Sequence, residues 1–374
     1  MRMRLALASL GAVAVILAFV AAPAAAVSAA EATWPPFGLV TGLLLLGAVA
    51  NEDGLFALGA GTLARLPGGG LPLFIAAMLL VAGVTAVLNL DTSVAFLTPV
   101  LVLVARRRQV GEQRFLYGCV FMSNAASLLL PGSNLTNLLV LAHEHVSGSV
   151  FAARMWAPWV AAVTVTTVVV ALAFRGSEHL PAEDGRDAGG IKALSSLGVA
   201  AAALLMVLVP DAALPVLGIG LGVAAVRVLQ RRLRLSALRE SVDVVSLAGV
   251  LMIAIGLGTL ARTWSYPGAL MATTNSVSTA VIGAVASVAV NNLPAAVLLG
   301  TPLPAHPRSL LLGLNIGPNL AVTGSLSALI WWQAARSVRA QPSARRYSMV
   351  GLVLVPLTLG AALMALRVFS PAHL

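Results

Sequence analysis

The chain has 374 residues, of which 59% are hydrophobic and only 10% charged, and its mean hydropathy is +0.96. That balance excludes a water-soluble domain and makes a lipid bilayer the natural solvent. The net charge of +10 does not mark a nucleic-acid binder, because the arginines stand in short clusters between apolar runs, and a single cysteine, Cys119, excludes an intrachain disulfide or a cysteine-rich metal site.

The first element, residues 1–30, places Arg2 and Arg4 before an apolar run that ends in Ala24-Ala25-Ala26-Val27-Ser28-Ala29. Such a pattern fits a cleaved signal segment or a retained transmembrane helix. The run from 5 to 27 is long enough to cross about 30 Å of hydrocarbon, so a retained helix is the more economical reading.

A first repeat is expected over 36–174, opening with an apolar run from 36 to 60. Arg65 and the Arg106-Arg107-Arg108 cluster then flank the apolar stretch 71–105. Arginine collects on the cytoplasmic side of inner membranes, so a single crossing there would strand one cluster outside. A re-entrant hairpin over 71–105 resolves the conflict, with limbs 71–88 and 93–105 and Asn89-Leu90-Asp91-Thr92 at its buried tip. The next run, 113–143, is interrupted by Pro131-Gly132 and reads as a broken helix, and 150–174 closes the repeat.

Residues 175–191 read as a polar linker, and the second half is expected over 192–369. It has apolar runs at 192–209, 212–230 and 243–262, then a hairpin over 272–303 with Asn291-Asn292 at its tip, a broken helix over 307–335, and a final span at 347–369. The second hairpin enters from outside in this scheme, so the N-terminus is cytoplasmic and the C-terminus outside. Only Arg154, Arg262, Arg308 and Arg367 then lie on the outer side. The sequence thus predicts an all-α polytopic membrane protein of two inverted repeats, each with a re-entrant hairpin and a broken transmembrane helix.

The two broken segments can be superposed along the sequence. Asn124-Ala125-Ala126-Ser127 followed by Pro131-Gly132-Ser133-Asn134-Leu135-Thr136-Asn137-Leu138 parallels Asn315-Ile316-Gly317-Pro318 followed by Val322-Thr323-Gly324-Ser325-Leu326-Ser327-Ala328-Leu329. A helix broken in hydrocarbon frees backbone groups that cost several kcal/mol each when unpaired, so such breaks persist where they line a polar cavity. The candidate substrate and ion site is therefore Asn89, Asp91, Thr92, Ser133, Asn134, Asn137, Asn291, Asn292, Asn315, Asn319, Thr323 and Ser325. Asp91 is the carboxylate at a hairpin tip, where an ionised group costs roughly 2.5–3.5 kcal/mol, and it is the candidate for proton coupling.

Other polar groups read more blandly. Glu52 and Asp53 suit either a solvated helix end or a functional kink, Asp243 and Glu240 suit interfacial pairs, and His143 with His145 lack a third ligand for a metal. No metal or cofactor is expected. Lys192 is the only lysine and there is no phosphate-cradling glycine loop, so the chain is not expected to hydrolyse ATP. No His, Asp and Glu cluster of the kind a membrane enzyme needs appears, which leaves secondary transport as the expected function.

The segments Asn51-Glu52-Asp53-Gly54-Leu55-Phe56, Asn89-Leu90-Asp91-Thr92, Ser133-Asn134-Leu135-Thr136-Asn137, Asn291-Asn292-Leu293-Pro294 and Gly317-Pro318-Asn319, in this order, resemble the arsenite permeases. These belong to the wider ion transporter superfamily that also holds citrate and dicarboxylate carriers. The resemblance implies proton-coupled efflux of arsenite or a related metalloid, with a sodium- or proton-coupled carrier of di- and tricarboxylates or other small anions as the alternative. It also implies a moving part that carries both hairpins, and allows a cytoplasmic ATPase partner. The chain departs from the permeases at Asn315, where they tend to carry an acidic residue, and at the Asn89-Leu90-Asp91 tip.

Overall fold

The computed structural model describes residues 2–370 except 68, 143, 145, 177–192, 210, 211, 234–237, 239–242 and 302, and every regular element among the described residues is helical. His143, His145, Arg234, Arg239, Glu240 and most of the linker lie outside the described residues. The helices are α1 (Arg2–Ala21), α2 (Pro23–Glu52), α3 (Leu55–Arg65), α4 (Gly70–Val87), α5 (Leu90–Arg107), α6 (Glu112–Ala126), α7 (Leu135–Val140), α8 (Gly148–Ala173), α9 (Ala193–Leu208) and α10 (Ala213–Leu229). They continue with α11 (Val244–Thr263), α12 (Ser265–Thr273), α13 (Ser276–Val290), α14 (Asn292–Gly300), α15 (Pro307–Ile316), α16 (Leu326–Ser337) and α17 (Ala344–Phe369). Among them α2, α4, α8, α11 and α17 are long and apolar enough to cross a membrane.

Two expected boundaries move. The first helix stops at Ala21, not near 30, because Pro23 has no N–H to continue it and instead starts α2 at its first position. Helix α2 then continues through Pro35 and Pro36, where the sequence reading began a new apolar run at 36. The carbonyls those prolines leave unbonded belong to Glu31 and Ala32, which line a cleft of about 250 Å³, where polar partners can reach them.

The packing repeats with reversed chain order. Helices α1 and α11 run parallel, Gly249 meeting Leu7 and Ala8 while Gly256 meets Ala14. Helices α10 and α2 also run parallel: Gly42 lies against Val216 and Leu217, and Asp53 pairs with Arg227. The backbones of α2 and α10 touch where Gly42 faces Gly220, whose added Cβ would stand 2.5 Å from the Gly42 carbonyl oxygen. Between these pairs α2 and α11 are antiparallel, Ala29 meeting Gly258, and α8 and α17 are antiparallel, with Trp156 against Phe369. A two-fold axis that reverses helix direction, as in inverted repeats, gives this arrangement.

Each repeat holds a helical hairpin, α4–α5 or α13–α14, and a helix interrupted midway, α6 to α7 or α15 to α16. The first hairpin tip is shorter than expected: α5 begins at Leu90, so Asp91 and Thr92 form its first turn and only Leu88 and Asn89 lie outside helix. In both breaks a 3-10 turn, Pro131–Ser133 or Val322–Gly324, leads into an extended capping residue, Asn134 (φ −150°, ψ 137°) or Ser325 (φ −147°, ψ 152°). The far half of the first broken helix is only six residues long, ending at Val140 and not near 143. The repeats interlock crosswise, α16 packing on α5 and α7 on α14.

One end of the bundle gathers arginines. Arg106 donates to the Val338 carbonyl (2.8 Å), Arg108 to those of Ala64 (2.8 Å) and Leu66 (2.7 Å), Arg114 to that of Phe174 (3.2 Å), and Arg346 to Gln113 (3.1 Å). The opposite end brings Arg154 to Ser370, whose hydroxyl donates to the Arg154 carbonyl at 3.1 Å.

Candidate functional site

Where the repeats interlock, a cavity of about 140 Å³ is lined by Asp91, Asn134, Asp243, Ser246, Asn292 and Ser327, with an apolar flank from α2 that includes Val40 and Leu44. These residues belong to the starts of five helices, α5, α7, α11, α14 and α16. A helix start presents backbone N–H groups without intrahelical partners and carries roughly half a positive charge. Among the described residues the cavity lining contains no Lys, Arg or His. The helix starts thus turn backbone donors towards the cavity, while Asp91 and Asp243 add two carboxylates.

Each of the five helix starts is capped. Asn89 accepts from Thr92 N (2.7 Å), Asn134 from Thr136 N (3.1 Å), Asn291 from Leu293 N (3.3 Å), Ser325 from Ala328 N (3.2 Å) and Asp243 from Ser246 N (3.3 Å). The Ser246 hydroxyl also donates to the second Asp243 oxygen at 2.7 Å. These caps hold the breaks open by satisfying part of the backbone that the interruptions free.

Asp91 joins the repeats directly, since its carboxylate accepts the Ser327 hydroxyl of α16. Thr92 packs into the space left by Gly47 of α2, where a Cβ would stand 2.5 Å from the Thr92 methyl. The amide nitrogen of Asn89 and the hydroxyls of Thr92 and Thr136 are buried with no hydrogen-bond partner among the described residues.

Behind the cavity lies a buried amide network. Asn315 accepts from the Ser127 hydroxyl (2.7 Å) and the Asn134 amide (2.6 Å), and donates to Asn137 (2.8 Å) and the Leu311 carbonyl (2.8 Å). All four of its hydrogen-bonding positions are thus filled. Asn137 in turn donates to the Ser127 carbonyl at 2.7 Å, while Asn319 accepts from Asn124 at 2.7 Å and donates to the Phe121 carbonyl at 3.3 Å. Ser133 donates to the Ala86 carbonyl at 3.0 Å, and Asn291 to the Thr323 carbonyl at 3.1 Å, tying each hairpin to the broken helix of its own repeat.

Of the residues expected at the site, Asp91, Asn134 and Asn292 reach the cavity. Asn89, Thr92, Asn291 and Ser325 build its helix starts, and Ser133, Asn137, Asn315 and Asn319 form the network behind. Thr323 contributes its carbonyl and points its side chain outward. Sequence reasoning missed Ser327, Asp243 and Ser246. Ser327 stands one place after Leu326 as Thr136 stands after Leu135, a signal the superposition already contained. Asp243, read as an interfacial charge, instead lines the cavity, and its Asp-Val-Val-Ser spacing is an N-cap signature. Glu52 is exposed, whereas Asp53 is buried in an ion pair with Arg227, outside the cavity lining.

A family model described as citrate transporter matches residues 1–326. No curated protein matches the chain. Among solved structures it is similar to the one described as the crystal structure of the Alcanivorax borkumensis YdaH transporter, which reveals an unusual topology. The identity is 15% and the TM-score 0.56, over 93% of this chain and 87% of that one, a likeness of fold.

Proposed function

The chain belongs to the citrate transporter family, a multi-pass secondary carrier and not an enzyme, and we propose that it carries di- or tricarboxylates together with protons, Asp91 being the proton-coupling group. The observation that carries this reading is the convergence of five helix starts on one cavity. Backbone N–H groups and helix dipoles hold carboxylates without any cationic side chain. The carboxylate reading, left as the alternative from sequence, therefore moves ahead of arsenite.

Two acidic residues beside a polyanion require a compensating cation. Moving each unbalanced charge across the membrane costs about 2.3 kcal/mol per 100 mV, so an anion carrier working against the potential gains from co-transported cations. Sodium would need several oxygens converging at the hairpin tips, but the Asn89 and Asn291 side-chain oxygens are already engaged by backbone N–H groups, and the oxygen left buried without a partner at the first tip, among the described residues, is the single Thr92 hydroxyl. A proton on Asp91 needs no such cage. It would reach the cavity from the arginine-rich end, taken as cytoplasmic, or from the opposite face, as the hairpin-bearing part moves.

Uptake of radiolabelled citrate, succinate and arsenite into proteoliposomes, under imposed proton or sodium gradients, tests the reading. Citrate or succinate accumulation driven by the proton gradient, with Asp91→Asn retaining binding but losing the gradient dependence, is expected. Arsenite accumulation without carboxylate uptake would overturn it.

A further inference from the structure

At the arginine-rich end of the bundle, the starts of α6 and α17 and the end of α8 enclose a cleft of about 1310 Å³ that takes no part in the transport site. Its mouth carries Arg175, Arg345 and Arg346, with Arg346 donating to Gln113. Glu112, the carboxylate among the described lining residues, already accepts from Arg106 Nε at 2.6 Å. Next to the lining residue Gln113, Arg114 sits 5.6 Å over the Phe74 ring, close enough to Arg175 for their charges to oppose, and its Nε is buried without a partner among the described residues. The positive ends of two helices, α6 and α17, add to this excess.

Below the mouth the wall turns apolar, with Val169 and Leu172 on α8 facing Met349, Val353 and Leu357 on α17. From Arg346 to Leu357 the helix rises about 16 Å at 1.5 Å per residue, close to half of a roughly 30 Å hydrocarbon core. A cationic mouth above an apolar wall one leaflet deep matches a molecule with a phosphate at one end and an acyl chain at the other. We propose that this cleft binds an anionic phospholipid, its phosphate held by Arg175, Arg345 and Arg346 and its chain laid along α8 and α17. Arginine-rich pockets between transmembrane helices on a membrane face suit such headgroups.

Native mass spectrometry of the detergent-purified full chain, titrated with phosphatidylglycerol or with phosphatidylcholine of the same acyl chains, tests the proposal. The expected result is retention of phosphatidylglycerol at least about tenfold tighter than phosphatidylcholine, lost in R175Q/R345Q/R346Q, partly lost in R345Q and kept in R367Q at the opposite end. Equal retention of both lipids, or an unchanged preference in the triple variant, would overturn it. So would full displacement by millimolar inorganic phosphate, which marks a free-anion site. A preference that emerges only in E178Q/E183Q/D184N/D187N would mean that the adjoining linker carboxylates occupy the cleft in its place, which also overturns it.

Discussion

Asn315→Asp changes one atom's chemistry at the centre of the network and leaves its shape alone. As an ionised carboxylate it still accepts from Ser127 and Asn134, but both donations fail, so Asn137 and the Leu311 carbonyl face an oxygen at the 2.8 Å separation of the present bonds. Hydrogen bonds between membrane helices average about 0.6 kcal/mol, and a stranded buried acceptor costs about 1–3 kcal/mol more. The expected destabilisation is therefore about 2–4 kcal/mol, mostly from the side-chain oxygen of Asn137. Thermal unfolding in detergent, followed by tryptophan fluorescence, gives the change for N315D in the wild-type and Asn137→Ala backgrounds. Removing Asn137 removes the stranded acceptor, so N315D should cost less there by about 1–3 kcal/mol. Equal costs in the two backgrounds would refute the reasoning.

Breaking the buried pair by Asp53→Ala should cost about 3–5 kcal/mol because Arg227 keeps an uncompensated charge, and the D53L/R227M double variant should recover most of it, as read by thermal unfolding. Gly47→Ala should lower stability by about 1–3 kcal/mol through collision with Thr92, and a second change, Thr92→Ala, should relieve that loss; no relief would mean the hairpin tip does not rest on α2 there. Asn291 has φ 78° and ψ 149°, a conformation glycine adopts freely, so Asn291→Gly should be better tolerated than Asn291→Ala by about 1 kcal/mol in the same assay.

The hairpins and broken helices were legible because polar and Gly/Pro residues interrupt apolar runs that otherwise span, and hydrocarbon tolerates such interruptions only around a polar space. The matched breaks also gave their local form: Asn134 and Ser325, paired by a constant offset in sequence, occupy the same capping role. Boundaries were less legible. Asp91 and Thr92 looked like loop residues, yet the Asn89 cap draws them into the first turn of α5, and the Pro35-Pro36 pair does not stop α2, whose residues one turn earlier, Glu31 and Ala32, line a cleft.

Cross-repeat partners were not legible at all, since the Asp91–Ser327 contact and the links of Asn315 to Ser127, Asn134 and Asn137 join residues some 180 to 240 positions apart. Asp243 was misread for a local reason: it follows an arginine cluster, which suggests an interfacial salt bridge, while the fold brings the start of α11 to the cavity. Substrate class was the least legible feature. Asparagine and serine side chains bind hydroxyls and carboxylates alike, and the direction of the helices, on which the carboxylate proposal rests, is known only from the fold.

A structure determined with citrate bound at saturating concentration tests the central claim most directly. Carboxylate density in the cavity bounded by Asp91, Asn134, Asn292 and Ser327, with its oxygens facing the starts of α5, α14 and α16, is the predicted result. Citrate held elsewhere, with this cavity unchanged, would contradict the assignment of the site.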